Sequence, residues 1–439
     1  MLLMGALAGC AGLPVLSATQ QGNLDYLKGR VTKVDGMTVT ISTKKSGNKT
    51  FSVSGATKIT IDGVDGNLAD FVVNNAVVVT TAHGTPHAAV TIAEKTVRNP
   101  RPPLKASATR ALDIPPRFQW DPNFGYCGEV SLMSAGLYYG QYVSQWDTRT
   151  QSHEDGRTSQ SKEPDQLFVS KIDGRPSSGT GATAAKNMRL NISEWIGVSQ
   201  GNLADGTQSK NFLAWVKQNI VNGYPVTIGI LEQGPEPTDG SNYDHIVPVN
   251  AITSNHPLTD SAYHEDDTIQ FSDNYGNDKP KSHTAPVSSY QYRYTFKDFR
   301  KTRNDLNGSS QDYAVGISRQ CYGWAITGVM DQFGDTVPVK VKTSQNYESP
   351  EIRAGSSARP APSQITLTVT VSSLKPGVAY NLYRYNNLAS VPVGSFNTNA
   401  SNATKKWPIQ ISSGSSFVLT ETILSSDIAV YRAVPAAAR

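Results

Sequence analysis

The chain has 439 residues, 40 basic and 36 acidic, with a net charge of +4 and a mean hydropathy of −0.37. At roughly 100–200 residues per domain this length predicts two to four domains, and an apolar content of 38 % rules out wholesale disorder. The 36 Gly and 25 Pro follow no period, which excludes collagen, and three cysteines (Cys10, Cys127, Cys321) are too few for a disulfide scaffold or a four-ligand zinc site.

Residues 1–21 open with MLLMGALAGCAGLPVLSA, a short apolar run rich in small residues, as in export signals. Leu7-Ala8-Gly9-Cys10 resembles a bacterial lipobox, which would make Cys10 a lipid anchor; an ordinary cleaved signal is the alternative. Both place the protein outside the cytoplasm, at the cell surface, in the periplasm or secreted.

Residues 22–98 are rich in Val and Thr. RVTKVDGMTVTIST, FSVSG, KITIDG, AVVVTTA and VTIAEKTV read as short strands with a turn at Asp35-Gly36, which predicts a small closed β-barrel. The pattern resembles small bacterial β-barrel domains carried by exported proteins, which have no assigned chemistry. His83 and His87 have no third metal ligand nearby and read as surface residues. Residues 99–116 hold five Pro and no periodicity, and form a semi-stiff linker.

Residues 117–336 carry the chemistry. Residues 112–336 hold 26 acidic and 18 basic residues, the reverse of what a nucleic-acid binder concentrates on its working domain. Gly125 and Gly128 bracket Tyr126-Cys127, and Val130, Met133, Leu137 and Tyr138 follow at helical spacing, so Cys127 stands at a helix start. Free amide N–H groups and the helix dipole favour a thiolate there. A buried, inert thiol is the plainer reading of a lone cysteine. NGYPVTIGIL (222–231) predicts a core strand, YDHIVPVNAI (243–252) a strand beginning near His245, and TIQFSDNYGN (268–277) one ending near Asp273 and Asn274. Cys, then His, then Asp or Asn supplies a nucleophile, a base to take its proton, and a group to orient the base.

This ordered set resembles papain-like cysteine peptidases, in particular the bacteriocin-processing peptidase-like group. The matching positions are Gln119, Cys127-Gly128, Tyr138-Tyr139-Gly140, Gly223-Tyr224-Pro225-Val226, His245-Ile246-Val247 and Asp273-Asn274-Tyr275-Gly276. The resemblance spans about half the chain. It implies an α+β core, a peptide or protein substrate, no cofactor or metal, Cys127 as nucleophile, His245 as general base, Asp273 as orienter and Gln119 in the oxyanion hole. Gln119 lies eight residues before Cys127, where the family places its Gln about six before; Asn123 competes for that role and Asn274 for that of Asp273. Glu129 stands where the group often has a small residue or Pro. No transporter domain accompanies the core, so the bacteriocin-export setting does not carry over.

Residues 144–215 read as a polar insertion followed by helices, with Trp146, Trp195 and Trp215 as core or groove residues. Cys321 falls in a late strand; paired with Cys127 it would silence the thiol, and a simply buried Cys321 is the other reading. Residues 337–439 return to alternating strands (QITLTVTVSSL, AYNLYRYN, SFVLTET, IAVYRAV) and predict a β-sandwich serving packing or adhesion. The whole is therefore expected to be an exported thiol hydrolase with a Cys-His-Asp triad, flanked by β domains. The competing expectation is a catalytically degenerate papain-like domain in a surface-binding protein.

Overall fold

The computed structural model describes residues 24–43, 46–61, 64–68, 71, 76–83, 87–95, 108–115, 117–120, 123, 125–153, 167, 181–197, 205–235, 243–274, 291–317, 321–348, 358–359 and 361–436. Cys10 with the rest of the export segment, most of the linker, and Tyr275-Gly276 lie outside them. Strand (43 %) outweighs helix (18 %), and the chain divides into two compact units, 1–106 and 107–439. No described helix is long and apolar enough to cross a membrane.

The first unit holds β1 (Leu24–Asp35), β2 (Thr38–Thr43), β3 (Gly47–Ser52), β4 (Lys58–Ile61), β5 (Val64–Asp65), β6 (Ala76–Ala82) and β7 (Ala89–Lys95). β1 and β2 meet at Gly36, whose φ of +55° suits the tight hairpin turn. Their alternate residues Val31, Val39 and Ile41 pack with Phe51, Val77, Val79 and Ile92. The strand order β3-β2-β1-β6-β7-β4-β5 is open, which corrects the expectation of a closed barrel. β7 already spends both edges on β6 and β4, so among the described residues β3 reaches its neighbourhood only at its end, through the Ser52–Ala88 bridge and Ser52's hydrogen bonds to the His87 carbonyl. The terminal β5 is two residues long, too short to close onto β3.

The second unit runs β8 (Ala108–Ala111), α1 (Cys127–Tyr138), β9 (Gln141–Tyr142), α2 (Gln145–Gln151), α3 (Gly181–Asn187), β10 (Leu190–Ile196), α4 (Asp205–Val221), β11 (Val226–Glu232), β12 (His245–Ser254), β13 (Thr268–Ser272), β14 (Gln291–Thr295), α5 (Phe296–Phe299), α6 (Arg303–Asn307), β15 (Tyr313–Ala314) and β16 (Tyr322–Val329). It continues with β17 (Val339–Thr343), β18 (Gln364–Val371), β19 (Ala379–Tyr385), β20 (Lys405–Gln410), β21 (Phe417–Leu424) and β22 (Ala429–Pro435).

Its main sheet is antiparallel, in the order β10-β16-β11-β12-β13-β14, with β15 added to β11 and β8 to β12. β11 and β12 are almost continuously apolar because both their faces are covered. Leu132 and Ala135 of α1 pack with Ile246, Tyr322 and Trp324 in one core. Phe212, Val216 and Ile220 of α4 pack with Ile228, Val247, Val249 and Phe271 in another. The helices thus lie on both faces of the sheet. Gly229 sits where a Cβ would come within 2.4 Å of the Tyr322 ring, so only glycine lets that ring lie against β11.

The last strands form two antiparallel sheets, β17-β18-β21 and β20-β19-β22-β9. Inward Val341, Leu367, Val369, Leu382, Ile423 and Tyr431 share a core with Val130, Met133 and Leu137 of α1. At roughly 1.5–3 kcal/mol per fully buried large apolar side chain, that shared core binds the sheets to α1 strongly. β9, which follows α1 directly, supplies an edge strand to the second sheet.

Candidate active site

The site starts at the N-terminus of α1. Cys127 is the first helical residue, and no side-chain cap occupies that end, so the first-turn N–H groups have no intrahelical acceptor. The preceding loop reaches it through Gly125, held at φ +78°. Gly128 is required by a close approach: a Cβ there would lie 2.5 Å from the carbonyl oxygen of Leu167.

His245 opens β12 and is 4 % exposed. Its Nε2 lies 3.1 Å from Oδ1 of Asp273, just past the end of β13. The Cys127 side chain lies close enough to the ring to act on it electrostatically. With Nε2 given to Asp273, Nδ1 is the nitrogen left to serve the thiol. Burial pulls the imidazole pKa down, but the interactions with Asp273 and Cys127 and the charge of Glu232 outweigh it, and the pKa stands well above its ordinary value. Tyr313 lies close enough to Asp273 to interact with it, and its own pKa is raised, first by burial and next by the Asp273 charge. The neighbouring Asp244 faces Arg303 instead, with both carboxylate oxygens 3.0 Å from one guanidinium nitrogen.

Asn274 does different work from Asp273. Its amide nitrogen lies 3.2 Å from the Cys127 carbonyl oxygen, 3.0 Å from Ser131 Oγ and 3.0 Å from the Ile246 carbonyl oxygen. It ties the nucleophile's helix to the base's strand, and of these two neighbours it is Asp273 that contacts the imidazole.

Gln119 is buried on the loop before α1. Its Oε1 accepts a hydrogen bond from the Tyr126 N–H at 3.0 Å, which turns the side chain toward the start of α1 and leaves Nε2 unengaged among the described residues. The Asn123 amide is instead held by the Tyr126 hydroxyl at 3.2 Å, and its backbone adopts φ +60°.

Sequence reasoning missed the clamp on this loop. Arg149 of α2 donates from Nε to Glu129 at 2.6 Å, from one terminal nitrogen to the Asn123 carbonyl at 2.8 Å, and from the other to the Gly125 carbonyl. Its guanidinium carbon lies 3.6 Å from the Tyr126 ring centroid. Glu129 in the first turn of α1 is thereby paired, which removes the conflict its charge poses beside a thiolate. A lone Arg in a polar stretch carries no sequence signal; the buried Glu129 that demands a partner was the only hint.

Both described cysteines are free. Cys321 is fully buried, its Sγ 3.6 Å from the Gly316 carbonyl oxygen, and it belongs to the α4-side core while Cys127 packs against the α1-side core. Trp195 and Trp215 pack against the α4-side core, and Trp146 lies beside Trp120. Among the described residues no group of three or more His, Cys, Asp or Glu could hold a metal ion. In the first unit His83 pairs with Asp25 at 3.3 Å on the surface.

No protein-family model, no curated protein and no solved structure matches the chain.

Proposed function

We propose that the second unit is a papain-like thiol hydrolase, most simply a cysteine peptidase acting on peptide or isopeptide bonds of an exported protein's surroundings. The observation that carries this reading is the buried imidazole of His245, held by Asp273 and interacting with the thiol of Cys127 at a helix start. An inert structural cysteine has no need of an oriented histidine with a raised pKa.

In the reaction, Cys127 Sγ gives its proton to His245 Nδ1, and the thiolate adds to the substrate carbonyl. The resulting oxyanion is met by the Cys127 backbone N–H and by Gln119 Nε2. The imidazolium then protonates the leaving amine as the C–N bond breaks, leaving a thioester on Cys127. Water, deprotonated by His245, attacks the thioester; the acid leaves and the proton returns to Sγ. Asp273 keeps the imidazole in the tautomer that aims Nδ1 at the thiol, and stabilises its charged form. Export, with lipidation at Cys10 or cleavage of the signal, fits this reading.

The test is acylation of the protein by p-nitrophenyl acetate, read as release of nitrophenol and as a mass increase mapped to Cys127. Gln119→Ala should slow it by roughly 10²–10³, the usual cost of one oxyanion donor. Cys127→Ala should abolish it. If wild type and Cys127→Ala behave alike, the unit is a surface-binding domain with a degenerate site.

A further inference from the structure

The loop that carries Gln119 is held by three separate parts of the fold. The Phe118 N–H donates to the Asn346 carbonyl at 2.7 Å, the Gln119 N–H to the Asn274 carbonyl at 2.8 Å, and the Trp120 N–H to Oε1 of Gln145 at 2.7 Å. Two of these anchors lead to one place. Asn346 lies in the segment 344–348 that leaves β17, and the Gln145 N–H donates to Oε2 of Glu348, in the same segment, at 2.9 Å. Arg117, at the start of the loop, donates to Thr343 Oγ1 and to the Gln345 carbonyl, both at 2.7 Å. Glu348 is only 4 % exposed and Gln145 2 %. The Trp120 ring lies 5.2 Å from that of Tyr126, the residue before Cys127.

A side chain that must donate to a charge developing beside Cys127 has to be fixed before that charge appears. The backbone on both flanks of Gln119 is fixed from the C-terminal sheets. We propose that Glu348 is a positioning residue for the oxyanion donor, acting on Gln119 through Gln145 and Trp120, so that the C-terminal sheets are part of the catalytic apparatus and not a separate adhesive module. This rests on the thiol-hydrolase reading above.

Two reactions of the same thiol separate the roles. Alkylation of Cys127 by iodoacetamide displaces iodide and develops no oxyanion, so it reads the Cys127–His245 pair alone. Acylation by p-nitrophenyl acetate passes through a tetrahedral oxyanion and needs Gln119 as well. In Glu348→Ala, acylation should slow about ten- to hundredfold, the scale of a small misplacement of a catalytic group, while alkylation stays within about twofold. Gln145→Ala, which leaves Glu348 in place and removes only the anchor on Trp120, should reproduce that split. Glu348→Gln should recover most of the acylation rate, because its amide oxygen can accept the same N–H. The proposal is overturned if both alanine variants acylate at the wild-type rate, or if alkylation falls in parallel with acylation, since that marks general damage to the fold. A wild-type Cys127 that does not acylate removes the underlying reading and this inference with it; a wild type that acylates while both alanine variants acylate equally fast removes this inference alone.

Discussion

Replacing Asn274 by Ala separates scaffold from chemistry in the triad. The side chain is 2 % exposed, and its two N–H groups are shared among three oxygens on α1 and β12. At a net ~1 kcal/mol per hydrogen bond the loss comes to about 2 kcal/mol. It is held near that value because Ser131 Oγ lies 2.7 Å from the Cys127 carbonyl oxygen and 3.3 Å from that of Ile246, and keeps one of them paired. The His245–Asp273 contact is untouched, so the pH dependence of Cys127 reactivity keeps its shape while its rate falls about tenfold as α1 loosens from β12. Urea unfolding gives the first quantity, from a lowered midpoint at unchanged slope. Iodoacetamide labelling across pH gives the second. If Asn274→Ala left stability intact and instead shifted the alkaline limb of that profile, Asn274 would be the orienter and the assignment to Asp273 would be wrong.

Asp273→Asn removes the first of the interactions that hold His245 charged, so the alkaline limb of the labelling profile should move to lower pH. The sign for stability follows: a histidine with a raised folded-state pKa stabilises fully below its unfolded value near 6.5 and loses this as pH rises through the folded value, and calorimetry across that range should show a smaller loss in the variant. Arg149→Met leaves Glu129 charged, buried and unpaired, at a cost of about 3–5 kcal/mol in urea unfolding; adding Glu129→Gln should return part of it. Burial first of all raises the Glu348 carboxyl from 4.5 to about 7, against the Gln145 N–H and Arg117. The folded state therefore holds a proton that the unfolded chain releases, and stability falls as pH rises between those values, by ~3 kcal/mol at ~1.4 kcal/mol per pH unit. Glu348→Gln should flatten that slope, and an unchanged wild-type slope would show the carboxyl to be charged throughout.

What could be read in the sequence was local. Cys127 stands at a helix start because two glycines and an apolar 3.6-residue period bracket it. His245 and Asp273 stand at strand ends because apolar runs stop there. The competition between Asp273 and Asn274 needed coordinates, since adjacent residues differ only in which way they face. Arg149, Tyr313 and Glu348 reach the site across 20 or more residues of sequence, and no periodicity encodes such contacts. The alternation of the first unit's strands marked five or six strands where the unit has seven. It did not show that β4 would run parallel to β7 and occupy the edge that closure requires. The alternation in β18 and β21 likewise signalled inward and outward faces without showing that α1 fills the inner one.

The most direct test of the Cys127–His245–Asp273 centre is the rate of iodoacetamide alkylation at pH 6.5, mapped to individual cysteines by mass spectrometry, in wild type and His245→Ala. The account predicts modification at Cys127 and not at the buried Cys321, at least about tenfold faster in wild type than in the variant. Equal rates in the two proteins, with both folded, would contradict it.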